Sequence, residues 1–299
     1  MAAGVKTSGE FIFQNKNVAR KIKSFSWLPN TDVKALAFIV HGYGERLTPY
    51  YDSLCEAGMR EGVHCFGHDH VGHGESEGER VQVDSESEYV TPVLDHCRKI
   101  KEQYPSKPLY LVGHSMGGLI AVCTALEDGK QEDPMVAGLV LVGPLIEPDP
   151  TVATPLKRFL ARMLSNVLPG FMLGEIAKSG LTSDKDWIEI IEKDKLRWHG
   201  KFKARHSHVL LNKMEELKSE MENIKIPLFI LHGEKDTICA ISGSRLLYES
   251  VTSSDKSLKV VKEGLHNILL EREPIRSETY SDIWTWVLSR AIQYLDLGS

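Results

Sequence analysis

Gly113-His114-Ser115-Met116-Gly117 sets a serine between two glycines, directly after the apolar run Leu109-Tyr110-Leu111-Val112. A serine hydroxyl attacks poorly until an imidazole accepts its proton, and the imidazole needs a carboxylate to hold its tautomer and steady the imidazolium. Both partners have candidates downstream. Asp236 stands in Leu231-His232-Gly233-Glu234-Lys235-Asp236, with Glu234 as its local rival, and His266 stands in Glu263-Gly264-Leu265-His266-Asn267. The chemistry on offer is acyl transfer, with Ser115 as nucleophile, His266 as general base and Asp236 as its orienting carboxylate. Such a reaction also needs donors aimed at the developing oxyanion. The expected pair is the backbone N–H of Met116, directly after the serine, and that of Tyr43 in His41-Gly42-Tyr43-Gly44-Glu45.

These residues are useful only if the chain holds them at one place, and the hydrophobic pattern shows how it does. Leu109 to Val112 reads as a buried strand and Gly118 to Leu126 as a helix, which puts Ser115 on the sharp turn between them. Further brief apolar runs cover Ala35 to Val40, Val63 to Phe66, Leu139 to Val142, Pro227 to Leu231 and Leu258 to Val261. Helix-length segments separate them: Tyr50 to Gly62, Ser87 to Gln103, Met116 to Glu127, Ala240 to Ser250 and Pro274 to Leu295. That alternation specifies an α/β fold with a mostly parallel, doubly wound sheet flanked by helices. Phe11 to Phe13 and Ile22 to Trp27 read as an antiparallel pair ahead of it. The candidates occur in the order Ser, Asp, His, each after a strand, which is the order of the α/β-hydrolase arrangement.

One stretch breaks the alternation. Residues 148–222 carry helical periodicity and charges but no convincing strand, so the expected organisation is a core of 1–147 and 223–299 with 148–222 inserted as a helical cap. Leu156, Phe159, Leu160, Met163, Leu164 and Val167 recur there at helical spacing, with Lys157, Arg158 and Arg162 largely elsewhere around the helix. Two readings stand for this stripe: it packs down on the core, or it rests on a lipid surface.

Composition excludes several classes. The formal net charge is −5, with no long basic cluster, which argues against a nucleic-acid partner. No apolar run approaches the roughly 20 residues that span a bilayer, and Ala2 rather than Gly follows Met1, so membrane contact is expected to be peripheral only. Five cysteines at irregular spacing (Cys55, Cys65, Cys97, Cys123 and Cys239), with no apolar signal segment at the start, point to a reducing compartment and cytoplasmic residence. Cys239, three residues past Asp236, is expected to be a buried, inert thiol. The run from His64 to Gly74 holds His, Cys and Asp close in sequence, yet a strand and the loop leaving it give these groups structural work, so no metal site is expected. No organic cofactor is required, and oligomeric state is not encoded.

HGYGE, DHVGHGESEGER (Asp69 to Arg80), GHSMGG and HGEKDTIC together resemble the monoacylglycerol lipases, and the resemblance spans nearly the whole chain. The Asp69 to Arg80 segment discriminates best, because GHSMGG is common to many serine hydrolases. The resemblance implies a cap-bearing α/β-hydrolase that releases fatty acid and glycerol from monoacylglycerols and associates peripherally with membranes. It implies Ser115, Asp236 and His266 as the triad, with Tyr43 and Met116 supplying the oxyanion hole. Vertebrate members carry a small residue where this chain has Tyr43. A lysophospholipase or broader carboxylesterase would use the same site, and a ligand-binding protein of the same fold is the reading from another class.

Overall fold

A computed structural model describes residues 4–15, 18–174 and 177–297. Its centre is an eight-stranded sheet in the order β1-β2-β4-β3-β5-β6-β7-β8. The strands are β1 (Gly4–Asn15), β2 (Val18–Pro29), β3 (Ala35–Val40), β4 (Val63–His68), β5 (Leu109–His114), β6 (Val136–Val142), β7 (Leu228–Gly233) and β8 (Lys256–Val261). From β4 to β8 all neighbours run parallel, while β1 pairs antiparallel with β2 and β2 with β4. The α/β-hydrolase reading of the alternating pattern is therefore the observed one.

Every residue of β3, β5 and β7 is buried, as a strand covered on both faces requires. Successive side chains point to opposite faces. Leu36, Phe38 and Val40 of β3 join a core with α2 (Ser87–Gln103) and α3 (Met116–Asp128). Ala35, Ala37 and Ile39 join another with α1 (Asp52–Arg60) and α8 (Ile275–Leu297), where the Trp284 indole N–H donates to the Leu54 carbonyl at 3.0 Å.

Between β6 and β7 the chain forms α4 (Pro155–Leu164), α5 (Lys185–Lys193) and α6 (Ala204–Leu217). Here α4 and α6 pack on each other, and a single antiparallel bridge joins Met172 to Lys203. The helix carrying the apolar stripe stops at Leu164, three residues before Val167. Its stripe does not simply pack inward: Leu156, Phe159, Met163 and Val167 are 66, 59, 57 and 75% exposed, and Leu168, Phe171 and Met172 extend the patch. Leu160 and Leu164 are half-buried, and Ala161 is the residue of α4 that meets the interior. Among the described residues, no helix is long and apolar enough to cross a membrane.

β7 is followed by α7 (Ile241–Ser250), and the isolated bridge Pro148–Cys239 ties the exit of β6 to the loop before α7. The C-terminal ends of β3, β5, β6, β7 and β8 thus open toward one region, where ligands gather in open α/β sheets.

Candidate active site

Ser115 occupies the one-residue junction between β5 and α3 at φ 55°, ψ −122°, a backbone region hostile to residues with a Cβ. The surroundings over-determine it. The Ser115 N–H donates to the Val142 carbonyl at 3.0 Å, and its own carbonyl accepts from Gly118 at 2.8 Å and Leu145 at 2.9 Å. A Cβ on Gly113 would meet the Gly117 carbonyl at 2.4 Å, and one on Gly117 would meet the Val40 carbonyl at 2.0 Å. Backbone passes through the space a side chain would need, and only glycine permits so tight a turn.

Three loops from distant parts of the sequence converge on this serine. His266, in the loop after β8, lies with Nε2 2.9 Å from Ser115 Oγ and Nδ1 2.7 Å from Asp236 Oδ2. Asp236, in the loop after β7, accepts at Oδ1 from the backbone N–H groups of Ile238 at 2.8 Å and Cys239 at 3.0 Å. Burial alone would raise the Asp236 pKa, but the His266 imidazole, hydrogen bonds from His232 and His266 and the Ile238 N–H outweigh it. Its carboxyl is held well below the usual carboxylate range. An imidazole held in this way can take the serine proton at Nε2 while Nδ1–H stays on a fixed anion. Glu234, the rival of Asp236, instead accepts at its carboxylate from the Glu263 N–H at 3.1 Å.

Tyr43 and Ser115 line the same cavity, and a Cβ on Gly42 would fall 3.3 Å from Ser115 Cβ, so the loop after β3 passes directly against the serine. Met116 opens α3, where unpaired N–H groups and the helix dipole favour developing negative charge. The cavity is half open to solvent at the serine. Leu145, Val152, Leu173, Leu210, Leu211 and Met214 give it an apolar lining drawn mostly from the segment between β6 and β7. The Tyr43 ring packs at 4.8 Å on Phe202 and 4.9 Å on His206, and so forms one wall.

Two residues that the sequence did not single out join the network around Ser115. Glu45, 3% exposed, accepts at Oε2 from the Gly42 N–H at 3.1 Å and the Tyr51 hydroxyl at 2.7 Å. The same oxygen lies 3.3 Å from His114 Nδ1, and Oε1 accepts from Asn267 Nδ2 at 3.3 Å. Burial opposes its charge, yet His114, Arg197 and the Tyr51 hydroxyl hold the Glu45 carboxyl well below its ordinary range. One anion thereby links the Tyr43 loop, the residue before Ser115 and the residue after His266. His232 is the second addition. Its Nδ1 lies 2.8 Å from Ser244 Oγ, and its Nε2 lies 3.1 Å from the Cys239 carbonyl and 3.3 Å from Asp236 Oδ2. Only the glycine-flanked HGYGE pattern hinted at Glu45, whose partners His114 and Asn267 lie 69 and 222 positions away, while His232 meets Asp236 four residues on, a spacing that by itself marks no role.

Cys239 Sγ lies 4.0 Å from Ser115 Oγ, buried, with its thiol pushed well up by burial and by the Asp236 charge. The histidines from His64 to His73 are buried in structural roles. His64 Nε2 sits 2.8 Å from Ser26 Oγ, His73 Nδ1 sits 3.0 Å from the Val71 carbonyl, and the His70 N–H donates to His41 Nε2 at 2.9 Å. Among the described residues, no group of three or more His, Cys, Asp or Glu is gathered to hold a metal ion.

Known proteins resemble this chain in sequence and in fold. Residues 31–273 match the family model described as serine aminopeptidase, S33. The chain is 36% identical to the monoglyceride lipase of Rattus norvegicus over 88% of this chain and 86% of the relative. A monoacylglycerol lipase of Paleococcus ferrophilus superposes with a TM-score of 0.80 at 25% identity, covering 90% of this chain and 99% of that one. A soluble variant of the Saccharomyces cerevisiae monoglyceride lipase, solved with a substrate analogue, shares the fold with a TM-score of 0.82 at 23% identity, covering 94% of each chain. Matched by a family model over most of its length and 36% identical to a monoglyceride lipase over most of both chains, this chain belongs to the monoglyceride lipase family of α/β-hydrolases and is a serine ester hydrolase.

Proposed function

We propose that the protein hydrolyses monoacylglycerols to fatty acid and glycerol through an acyl-enzyme on Ser115. The observation that carries this reading is the bonded series Asp236–His266–Ser115, at 2.7 and 2.9 Å, at the edge of a cavity lined mostly by apolar side chains. Ser115 Oγ attacks the ester carbonyl as His266 Nε2 takes its proton. The oxygen that becomes negative is met by the N–H groups of Tyr43 and Met116. His266 then returns the proton to the departing glycerol oxygen, and water repeats the sequence to free the fatty acid. Asp236 holds the imidazole orientation throughout. The rat relative's name, monoglyceride lipase, supports the choice of substrate.

The same proposal divides the chain into a core of 1–147 and 223–299 and a cap of 148–222, whose inner face lines the acyl site. The outer face, with Leu156, Phe159, Met163 and Val167 exposed and Arg162 exposed next to Met163, would rest on a lipid surface and deliver substrate from it. Peripheral membrane association of a cytoplasmic enzyme is the matching location, and the five cysteines are free and buried, as a reducing compartment allows.

The deciding experiment measures fatty-acid release from long-chain monoacylglycerol, lysophosphatidylcholine and short-chain p-nitrophenyl ester, wild type beside Ser115→Ala. Preferential monoacylglycerol cleavage, lost by at least about 1000-fold in the variant, is the expected result. Preference for the lysophospholipid would replace the substrate, and equal turnover by Ser115→Ala would overturn the mechanism.

A further inference from the structure

The segment linking α5 to α6 touches the Tyr43 loop at several points. Asp194 Oδ2 accepts from Arg46 Nε at 2.8 Å and from the Tyr50 hydroxyl at 2.8 Å. The Trp198 N–H donates to the Gly44 carbonyl at 2.9 Å. Arg197 Nη1 lies 3.5 Å from Glu45 Oε1, with its guanidinium 5.2 Å from the centre of the Tyr50 ring. The contact is close at backbone level: Gly44 has φ 72°, and a Cβ there would come within 3.3 Å of Trp198 Cβ. Asp194 is itself fixed, since its Oδ1 accepts from the Leu196 N–H at 2.9 Å and its carbonyl lies 2.8 Å from His199 Nε2. Its side chain is 5% exposed.

We propose that Asp194 is a positioning residue for the oxyanion site: through Arg46, Tyr50 and the adjoining Trp198–Gly44 bond it sets where the Tyr43 N–H points. The inference rests on the proposed attack by Ser115. A main-chain donor stabilises an oxyanion only when it is already aimed, and a misplacement near 1 Å costs on the order of 100-fold in rate. The loop from Gly42 to Gly44 cannot stiffen itself, because its glycines leave the backbone free. Glu45 holds it from the sheet side through Gly42. Asp194, in the segment between β6 and β7, holds Arg46 and Tyr50 just after the loop, and Trp198 of the same segment bonds the Gly44 carbonyl. Seating of that segment therefore completes the site for the oxyanion as well as lining the acyl cavity.

The test compares the full-length wild type with Asp194→Ala, Tyr50→Phe and Arg46→Ala. Active sites are first counted by fluorophosphonate labelling driven to completion, and Tm is recorded for each protein. Then kcat per titrated site and KM are measured on monoacylglycerol, together with Ki for a long-chain trifluoromethyl ketone, whose serine adduct carries an oxyanion. Asp194→Ala is expected to lower kcat by about 10-fold or more with KM changed by less than about 2-fold, and to raise the ketone Ki in parallel. Tyr50→Phe keeps the ring and removes one donor to Asp194. It should show the same pattern at about 3-fold, and it carries the test if Asp194→Ala does not fold. Unchanged kcat per titrated site, or a rise in KM alone, would overturn the proposal and leave Asp194 as a tether for the inserted segment. Failure of the wild type to turn over any ester is a separate outcome that removes the reading of Ser115 itself, and with it this inference.

Discussion

Asp236 accepts hydrogen bonds on both carboxylate oxygens, and its charge survives burial because the His266 loop and the loop after β7 bring donors to it. An amide at this position would keep the shape and lose the charge, and would allow the imidazole its wrong tautomer. On the proposed mechanism Asp236→Asn is expected to lower kcat by on the order of 10⁴-fold with little change in Tm. Steady-state kinetics on a monoacylglycerol checks it, and a loss under about 10-fold would count against the role. At this scale the sequence was legible wherever chemistry demands a residue type: a serine in a glycine frame, a late histidine after the last strand, an aspartate just past β7. Glu45, His232 and Asp194 were not legible. Glu45 meets Asn267 across 222 positions and Asp194 meets Arg46 across 148, so what they do is defined by folding rather than by neighbours in the chain.

Among the elements, the β5–α3 junction leaves least room. Gly117→Ala would drive a Cβ to 2.0 Å from the Val40 carbonyl, and the obstacle is main chain of the central strand β3, which no rotamer change can move. A destabilisation of about 3 kcal/mol or more is expected, read as a drop in the denaturant midpoint, together with loss of fluorophosphonate labelling of the folded fraction. A variant as stable as the wild type would contradict the packing. The parallel strands were legible because each is a short run of buried apolar residues. By contrast, the β1–β2 hairpin extends to twelve residues per strand where only the inner parts, Phe11 to Phe13 and Ile22 to Trp27, read as strand. Its outer residues are mostly exposed, with apolar Val5, Val18 and Leu28 among them, so period-two alternation fades. Periodicity showed that α4 is amphipathic but not what its apolar side faces, because that is settled by the partner, α6, and by solvent. Changing Leu156, Phe159 and Met163 together to serine is expected to weaken flotation with anionic liposomes by about 10-fold or more, with kcat/KM on a soluble short-chain ester unchanged. Equal flotation would remove the lipid-surface proposal.

Across the whole molecule, histidine burial sets the response to acid. His41, His64, His68, His70, His73, His96 and His206 are all pushed below the ordinary imidazole value, in each case chiefly by burial, with His64 and His73 at about 4 and His96 and His206 at about 3. In the unfolded chain these groups take protons below about pH 6.5, while in the fold they stay neutral, so the unfolded state binds more protons and stability falls as pH falls. Each contributes up to about 1.4 kcal/mol per pH unit over that window. Asp69, raised to about 6 by burial against the pull of its backbone hydrogen bonds, and Asp128, also raised chiefly by burial, work the other way, but they are two groups against seven. With total stabilities of about 5–15 kcal/mol, the balance predicts a urea midpoint that drops steeply from pH 7 to pH 5. A flat profile there would show that the buried imidazoles already carry their protons in the fold.

The backbone of Ser115, at φ 55°, also bears on how such a chain would change over generations. A serine held there costs roughly 1–3 kcal/mol of strain, whereas glycine would relieve it at a loss of only about 0.4–1 kcal/mol from the greater freedom of the unfolded chain. Ser115→Gly should therefore be neutral or more stable while having no hydroxyl to attack with. A lineage released from selection for turnover would have a downhill path to lose its nucleophile first and keep its fold, leaving a sturdy, silent copy with the acyl cavity still open.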